Sequence, residues 1–472
     1  METEILKRII TEQRAELEGT FKEFPMIERN NLEYVKPFLS HPNILAILGV
    51  RRSGKSIFSV LLAKAIKENY AYINFDDERL IGLKTEDLDK ILQAFYELYG
   101  EIRLIILDEP QNVKGWELFA NRLRRTKKLI ITGSNSNLLS GELATHLTGR
   151  YIDFTLYPLS FKEILDFKPD IYLIEDRAKV QRQLDNYLNG SGFPELRKFG
   201  PKIVETIYSD IINKDCLDRY NIKNKKTFKE ISKYLTSNFS SEFTYSKLLH
   251  IFNLKDVHTI KNYVDYLKES FLITVIERFS PKLKQQVISP KKVYVVDHGI
   301  CNFLTFKLSK DSGKILENVT CIELLRRKAV DSSLGIYYWK DYQQNEVDFV
   351  VKKGPKIKTL IQVCQDLSEN ETKEREVKSL IKAGKELKCK DLIVISRDKE
   401  GEEIIEDFEK PQSPLSNRFE TERIFDSRGA QKSTISDDHR GISKLEGYSK
   451  LSIDKVKIKF IPLWKWLLAD SN

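Results

Sequence analysis

Residues 49–56 read Gly49-Val50-Arg51-Arg52-Ser53-Gly54-Lys55-Ser56. Two glycines separated by four residues, then lysine and a hydroxyl, are what a backbone needs to wrap closely round a phosphate. The setting suits that chemistry, because an apolar run (Ile44–Leu48) precedes the glycines and a helical pattern follows Ser56. A helix N-terminus adds partial positive charge at the same place. Lys55 is expected to neutralise the β- and γ-phosphates of ATP, and Ser56 to ligate Mg²⁺. The expected nucleotide-binding set is Gly49, Val50, Arg51, Arg52, Ser53, Gly54, Lys55, Ser56 and Ile57. The bland alternative is a strand–turn–helix that merely needs glycine.

A second run, Leu104-Ile105-Ile106-Leu107-Asp108-Glu109, ends an apolar strand in two carboxylates. Asp108 is expected to hold the Mg²⁺ shell, and Glu109 to orient and deprotonate an attacking water. Alone, the pair would read equally well as a solvated acidic turn. A third strand, Leu129–Thr132, ends in Gly133-Ser134-Asn135. Asn135, or Ser134, is placed to sense the γ-phosphate; a helix N-cap is the competing reading. Arg150, in Thr148-Gly149-Arg150, is a candidate arginine finger acting in trans, against the commoner surface arginine, with Arg122, Arg124 and Arg125 as competitors.

The elements that must position these residues alternate. Short apolar runs at Ile44–Leu48, Tyr72–Phe75, Leu104–Leu107, Leu129–Thr132 and Ile152–Leu156 are separated by helical patterns at Lys55–Glu68, Thr85–Tyr99 and Trp116–Arg125. That alternation predicts an α/β fold on a parallel sheet. Ser160, with Glu163 three residues on, predicts a capped helix start. Residues 227–297 read as three short helices and two strands, and 317–407 as mixed α/β. Residues 408–449 are polar and aperiodic and read as a mobile insert. Val456–Leu468 reads as a strand returning to the same domain.

Composition bounds the class. The 472 residues suggest about three domains. With 41% hydrophobic and 31% charged residues the chain has ample material for cores. The net charge of +9 permits nucleic acid as a partner and excludes an acidic, self-repelling tail protein. Five scattered cysteines without a CxxC pair argue against a disulfide framework or a cysteine-rich zinc site. No apolar run approaches a membrane span, and Met1-Glu2-Thr3-Glu4 opens no signal peptide. These features predict a cytoplasmic protein.

GVRRSGKS, INFDDERL (73–80), LDEPQNVKGWE (107–117), ITGSNSNLLS (131–140), LTGRY (147–151) and YPLSFKEIL (157–165) together resemble a prokaryotic, chiefly archaeal, AAA-type ATPase family. SGFPE (191–195) and KKVYVVDHG (291–299) look like its later landmarks, and the resemblance covers most of 1–407 and resumes at 456–468. It implies a P-loop core, a winged-helix unit and a C-terminal nuclease-like domain. The expected boundaries are an N-terminal helical segment at 1–40, the ATPase core at 41–157, a helical lid at 158–225, a winged-helix-like unit at 226–300, and a restriction-endonuclease-like domain at 301–472 containing the 408–449 insert.

In the winged-helix candidate, Lys255, His258, Lys261 and Asn262 would face DNA, helped by the basic loop 280–286 and by Lys291 and Lys292; a protein-docking module is the alternative. In the nuclease-like part, Glu323, Asp348 and Gln362 mark a degenerate metal site. Glu317 shares the helix of Glu323, and Cys364 stands where such nucleases carry lysine. The expected activity is Mg²⁺-dependent ATP hydrolysis coupled to these units on DNA, with a homo-oligomer or an unknown protein as further partners. A non-hydrolysing ATP-switched regulator is the alternative, and an ATP-dependent nuclease a further one.

Overall fold

The computed structural model describes residues 1–23, 27–139, 147–165, 167–170, 172–304, 312–368, 370–407 and 454–469. The insert expected at 408–449 lies outside the described residues. Five parallel strands, β1 (Ile44–Leu48), β2 (Tyr70–Asn74), β3 (Leu104–Asp108), β4 (Lys128–Gly133) and β5 (Tyr151–Thr155), form one sheet in the order β2-β3-β4-β1-β5. β4 therefore lies between the strand that leads into the glycine loop and the strand that ends in Asp108. The carboxyl ends of all three meet: Leu48 is in register with Gly133, and Thr132 with Asp108.

In β1 to β4 both faces are buried, so these strands read as nearly unbroken apolar runs, while the edge strand β5 exposes Asp153. Alternate residues serve alternate faces. Ile44, Ala46, Leu48, Ile105 and Leu107 pack with the helices Thr3–Glu23, Asp87–Tyr99 and Trp116–Leu123. Leu45, Ile47, Leu104 and Ile106 pack with the helix Lys55–Ala65. The N-terminal helix is stitched to the edge strand β2 by Gln13, whose side-chain amide accepts from the Asn74 N–H (2.9 Å) and donates to the Asn74 carbonyl (3.0 Å). Phe58 fills the second face beside Phe154, with ring centroids 6.0 Å apart. Phe58→Ala should lower unfolding free energy by about 3–5 kcal/mol, read as a shifted urea midpoint at unchanged slope; a shift of a few tenths would place this ring outside the core.

Beyond β5 the capping box of Ser160 and Glu163 opens a helix of one turn, Phe161–Ile164. Helices Ile174–Asn189 and Lys202–Asp210 follow, the latter running into a π-helix, Ile211–Asp218. A three-stranded antiparallel sheet then carries three helices: Lys225–Ser237, β6 (Ser241–Phe243), Tyr245–Ile251, Val257–Glu269, β7 (Ile273–Glu277) and β8 (Lys291–Val295), in the order β6-β8-β7. The sequence reading missed β6, too short to show a period, and the helix Leu283–Ile288 between β7 and β8.

The last unit is a six-stranded mixed sheet of β9 (Leu334–Lys340), β10 (Glu346–Lys353), β11 (Lys356–Cys364), β12 (Leu392–Ser396), β13 (Gly401–Asp407) and β14 (Asp454–Pro462), flanked by Ser312–Val330 and Asn370–Glu386. Its order is β13-β14-β12-β11-β10-β9, so the closing strand sits inside the sheet. The expected closing strand is only its first part: from Leu463 the chain is helical (Leu463–Leu468), which turns Leu463, Trp464, Trp466 and Leu467 into the core.

Candidate functional site

The loop after β1 owes its shape to backbone that side chains would obstruct. Gly49 has φ +149°, and a methyl there would lie 2.2 Å from the Leu156 carbonyl oxygen. Gly54, at φ +93°, is the N-cap of helix Lys55–Ala65. The Lys55 ammonium is buried and donates to the carbonyls of Gly49 (3.1 Å) and Val50 (3.2 Å), with Glu109 3.7 Å away. Ser53 is fully buried and its hydroxyl has no partner. An unsatisfied buried donor and a buried ammonium facing mainly neutral carbonyls leave the loop short of negative charge, which suits an anionic ligand.

Asp108 ends β3 wholly inside the protein. The hydroxyls of Tyr72 (2.6 Å) and Thr132 donate to it, and Ser56 hydrogen-bonds it as well. Burial, with Glu109 next door, pushes the Asp108 carboxyl up despite those donors; a second positive charge nearby would relieve it. Glu109 is a non-glycine residue at φ 51°, a left-handed conformation that costs of order 1–3 kcal/mol and clusters at functional sites. Its carboxylate accepts from Gln111 (2.5 Å), the Ser134 N–H (3.1 Å) and the Ser134 hydroxyl (3.2 Å). Burial alone would raise its pKa, but Lys55, Gln111, the Ser134 amide and Arg51 together hold it below the usual carboxylate range.

Sequence reasoning missed the groups that reach this loop from the helical segment. Arg51 pairs with Asp215 through two nitrogens (2.9 and 3.2 Å) and with Asp76 (3.1 Å). Arg52 pairs with Glu195 (2.6 Å) and Asp210 (3.0 Å). Asp215, on the π-helix, also accepts from the Ser134 hydroxyl (3.0 Å). That hydroxyl has one proton and two carboxylate acceptors, Glu109 and Asp215. No short motif announces these partners; the only signal was the SGFPE segment, whose Pro194 and Glu195 line the cleft above Gly54. The cleft, about 740 Å³, is lined by Lys55, Asp108 and Glu109 together with the apolar Ile27, Ile57, Leu61 and Phe199.

Lys55, Ser56, Asp108 and Glu109 are thus brought together. Asn135 is not turned to them: its amide nitrogen donates to the Tyr220 hydroxyl (3.0 Å) and its oxygen takes the Asn137 N–H, so of the two residues after β4 it is Ser134 that meets the Glu109 carboxylate. Arg150 precedes Tyr151, which pairs with Ile44, the first residue of β1. It is exposed at the opposite end of the sheet from its own glycine loop and does not enter this cleft. In the C-terminal unit Asp348 and Gln362 adjoin, the Asp348 N–H donating to Gln362 at 3.3 Å. Glu323 does not join them. Its carboxylate takes Arg326 (3.2 Å) and Arg327 (3.4 Å), and Glu317 stands beside Asp348 instead, each within 3.0 Å of the Lys292 ammonium. Six residues are about one and two-thirds helical turns, so the two glutamates leave different faces. Lys291 and Lys292, expected on a basic wing, are buried. Among the described residues no group of three His, Cys, Asp or Glu is arranged to hold a metal, and no helix is long and apolar enough to cross a membrane.

The AAA domain family matches residues 41–165, and two domains of unknown function, DUF8612 and DUF4143, match 181–312 and 312–411. The uncharacterized protein MJ1544 of Methanocaldococcus jannaschii is 36% identical over 384 residues, 77% of this chain and 84% of the relative. An uncharacterized protein of Haemophilus influenzae is 31% identical, covering 73% and 88%. Among solved structures, the Walker-type ATPase of Pyrococcus abyssi is similar over 59% of this chain and 96% of its own, at 15% identity and a TM-score of 0.37, too loose a likeness to carry an argument. The AAA match lies on the parallel sheet and glycine loop described above, and the identity to the Methanocaldococcus protein runs far beyond it: this chain belongs to the same family of P-loop AAA-domain proteins.

Proposed function

We propose that the chain binds and hydrolyses ATP with Mg²⁺ and passes the nucleotide state to its three-helix unit. One observation carries the reading: Lys55, Ser56, Asp108 and Glu109, from the ends of β1 and β3, converge beside a glycine loop whose buried Ser53 hydroxyl has no partner among the described residues. In that arrangement Gly49–Ile57 cradle the phosphates, Ser56 and Asp108 hold Mg²⁺, and Glu109 orients water. A Mg²⁺ held by Ser56 and Asp108 would offset negative charge on the β- and γ-phosphate oxygens as ADP leaves, and burial would make that charge count for more. Arg150 is exposed at the far end of the sheet, so an arginine-finger role for it would be played on a neighbouring copy's nucleotide.

Coupling has a physical carrier. Asn135 donates to Tyr220, whose hydroxyl donates to Glu269 (2.5 Å) at the end of helix Val257–Glu269, and the Tyr220 ring stacks on Tyr266 at 3.9 Å. The other end of that helix exposes Lys255, His258, Lys261 and Asn262, and the connection from β7 to β8 exposes Lys282 and Lys284 at the start of its short helix. Three helices on a three-stranded antiparallel sheet support reading 226–300 as a winged helix, with DNA as its partner. Phosphate release with Mg²⁺, EDTA and a panel of DNA forms tests the whole. The expected result is Mg²⁺-dependent turnover that DNA alters, with DNA affinity falling steeply in salt. Tight ATP binding without phosphate release would favour the regulator reading, and a flat salt response a protein partner.

A further inference from the structure

Lys292 leaves β8 of the three-stranded sheet and ends inside another unit. Its side chain is 3% exposed, and its ammonium lies 2.9 Å from Glu317, 2.5 Å from Glu346 and 3.0 Å from Asp348. The ammonium donates to Glu317 and Asp348 and ion-pairs with Glu346, so it meets three carboxylates, contributed by helix Ser312–Val330 and strand β10. The acids are held in place independently of the lysine. Glu317 accepts from the Tyr294 hydroxyl (2.6 Å), Glu346 from Lys340 (3.1 Å), and the second Asp348 oxygen from the Val363 N–H (2.9 Å). β8 is further fastened by Asn318, whose side-chain amide pairs with both the N–H and the carbonyl of Val295 at 2.9 Å. Burial opposes the charge on Lys292, but Glu317, Tyr294, Asp348 and Glu346 around it hold its pKa above the ordinary value.

We propose that Lys292 is the resident cation of the C-terminal sheet: its ammonium fills the place a divalent ion would take among Glu317, Glu346 and Asp348, and closes that pocket to metal as long as β8 is docked. With the lysine in place the three acids are spaced as partners of an ammonium and not as a metal shell, but three carboxylate oxygens within 3.0 Å of one cation are the donor chemistry that hard divalent ions take once that cation is removed. A lysine occupies the point with one charge, needs no solvent access, and ties two units together, because the cation belongs to one and its anions to the other. Metal-assisted cleavage by this pocket is therefore shut off in the docked protein. This inference is independent of ATP hydrolysis.

The test is manganese uptake by the full chain, counted from the loss of the free Mn²⁺ paramagnetic signal, with thermal melting in parallel. Wild type should show no uptake that Asp348→Asn removes. Lys292→Ala should melt at lower temperature, take up one Mn²⁺ more than wild type, and regain part of the lost melting temperature with Mn²⁺. Adding Asp348→Asn should abolish the new uptake, whereas Asp108→Asn, in the P-loop site, should leave it. If Lys292→Ala does not fold without metal, refolding in Mn²⁺ is the expected rescue, and Lys292→Gln, which keeps two donors without the charge, is the second variant. Folded variants without added uptake, a failure of Mn²⁺ to rescue or bind either variant, or Asp348-dependent uptake by wild type would each overturn the proposal.

Discussion

Replacing Lys55 by alanine is expected to remove measurable ATP binding, the largest single effect available in this protein. The ammonium is buried, lies 3.7 Å from Glu109 and donates to the carbonyls of Gly49 and Val50. Truncating one member of a buried, hydrogen-bonded charge pair costs about 2–5 kcal/mol, about 30-fold to several thousand-fold in affinity. The same change leaves Glu109 with less compensation, so its pKa should rise toward the ordinary range, because Lys55 is the strongest influence holding it down. Calorimetric titration with ATP and Mg²⁺ reads the effect, and circular dichroism confirms that the variant is folded. A folded Lys55→Ala chain that binds ATP within threefold of wild type would remove the phosphate-cradle assignment.

Glu109→Gln should instead bind ATP and fail to release phosphate. Glutamine is nearly isosteric, and its amide oxygen still accepts from the Ser134 N–H, so the strained turn at φ 51° should persist. It cannot take a proton from water. Losing a positioned base costs typically 10²–10⁴-fold in rate, so single-turnover phosphate release should fall by about that factor while affinity stays within a few-fold. The direction of the Glu109 shift sets the pH dependence. Its folded pKa lies below the ordinary glutamate value, so the carboxylate persists throughout the neutral and mildly acidic range and the corresponding loss of rate appears only as pH falls below that ordinary value. Equal phosphate release by wild type and both variants would count decisively against hydrolysis at this site.

Local patterns were legible before any coordinates. The glycine loop, the strand ending in Asp108-Glu109 and the Ser160–Glu163 capping box depend on backbone demands spanning fewer than ten residues, and each appears where those demands put it. β1 has the bounds read from its apolar run, because a strand buried on both faces has a hard edge where the apolar residues stop. Pairings across long stretches of chain were not legible. Arg51 and Asp215 are 164 residues apart, and Ser134 and Asp215 are 81 apart. Arginine, aspartate and serine are too common for any of them to announce its partner.

The sequence by itself thus determined the chemistry of the phosphate loop and the class of sheet beneath it. Tertiary structure decided which side chains meet: Ser134 rather than Asn135 on Glu109, Glu317 rather than Glu323 beside Asp348, and Lys292 among the carboxylates instead of on a basic wing. The physical reason is the reach of the forces involved. Glycine sterics, capping and apolar periodicity act over a few residues, whereas helical phase and strand order decide, only once the chain is packed, which buried charges must satisfy one another.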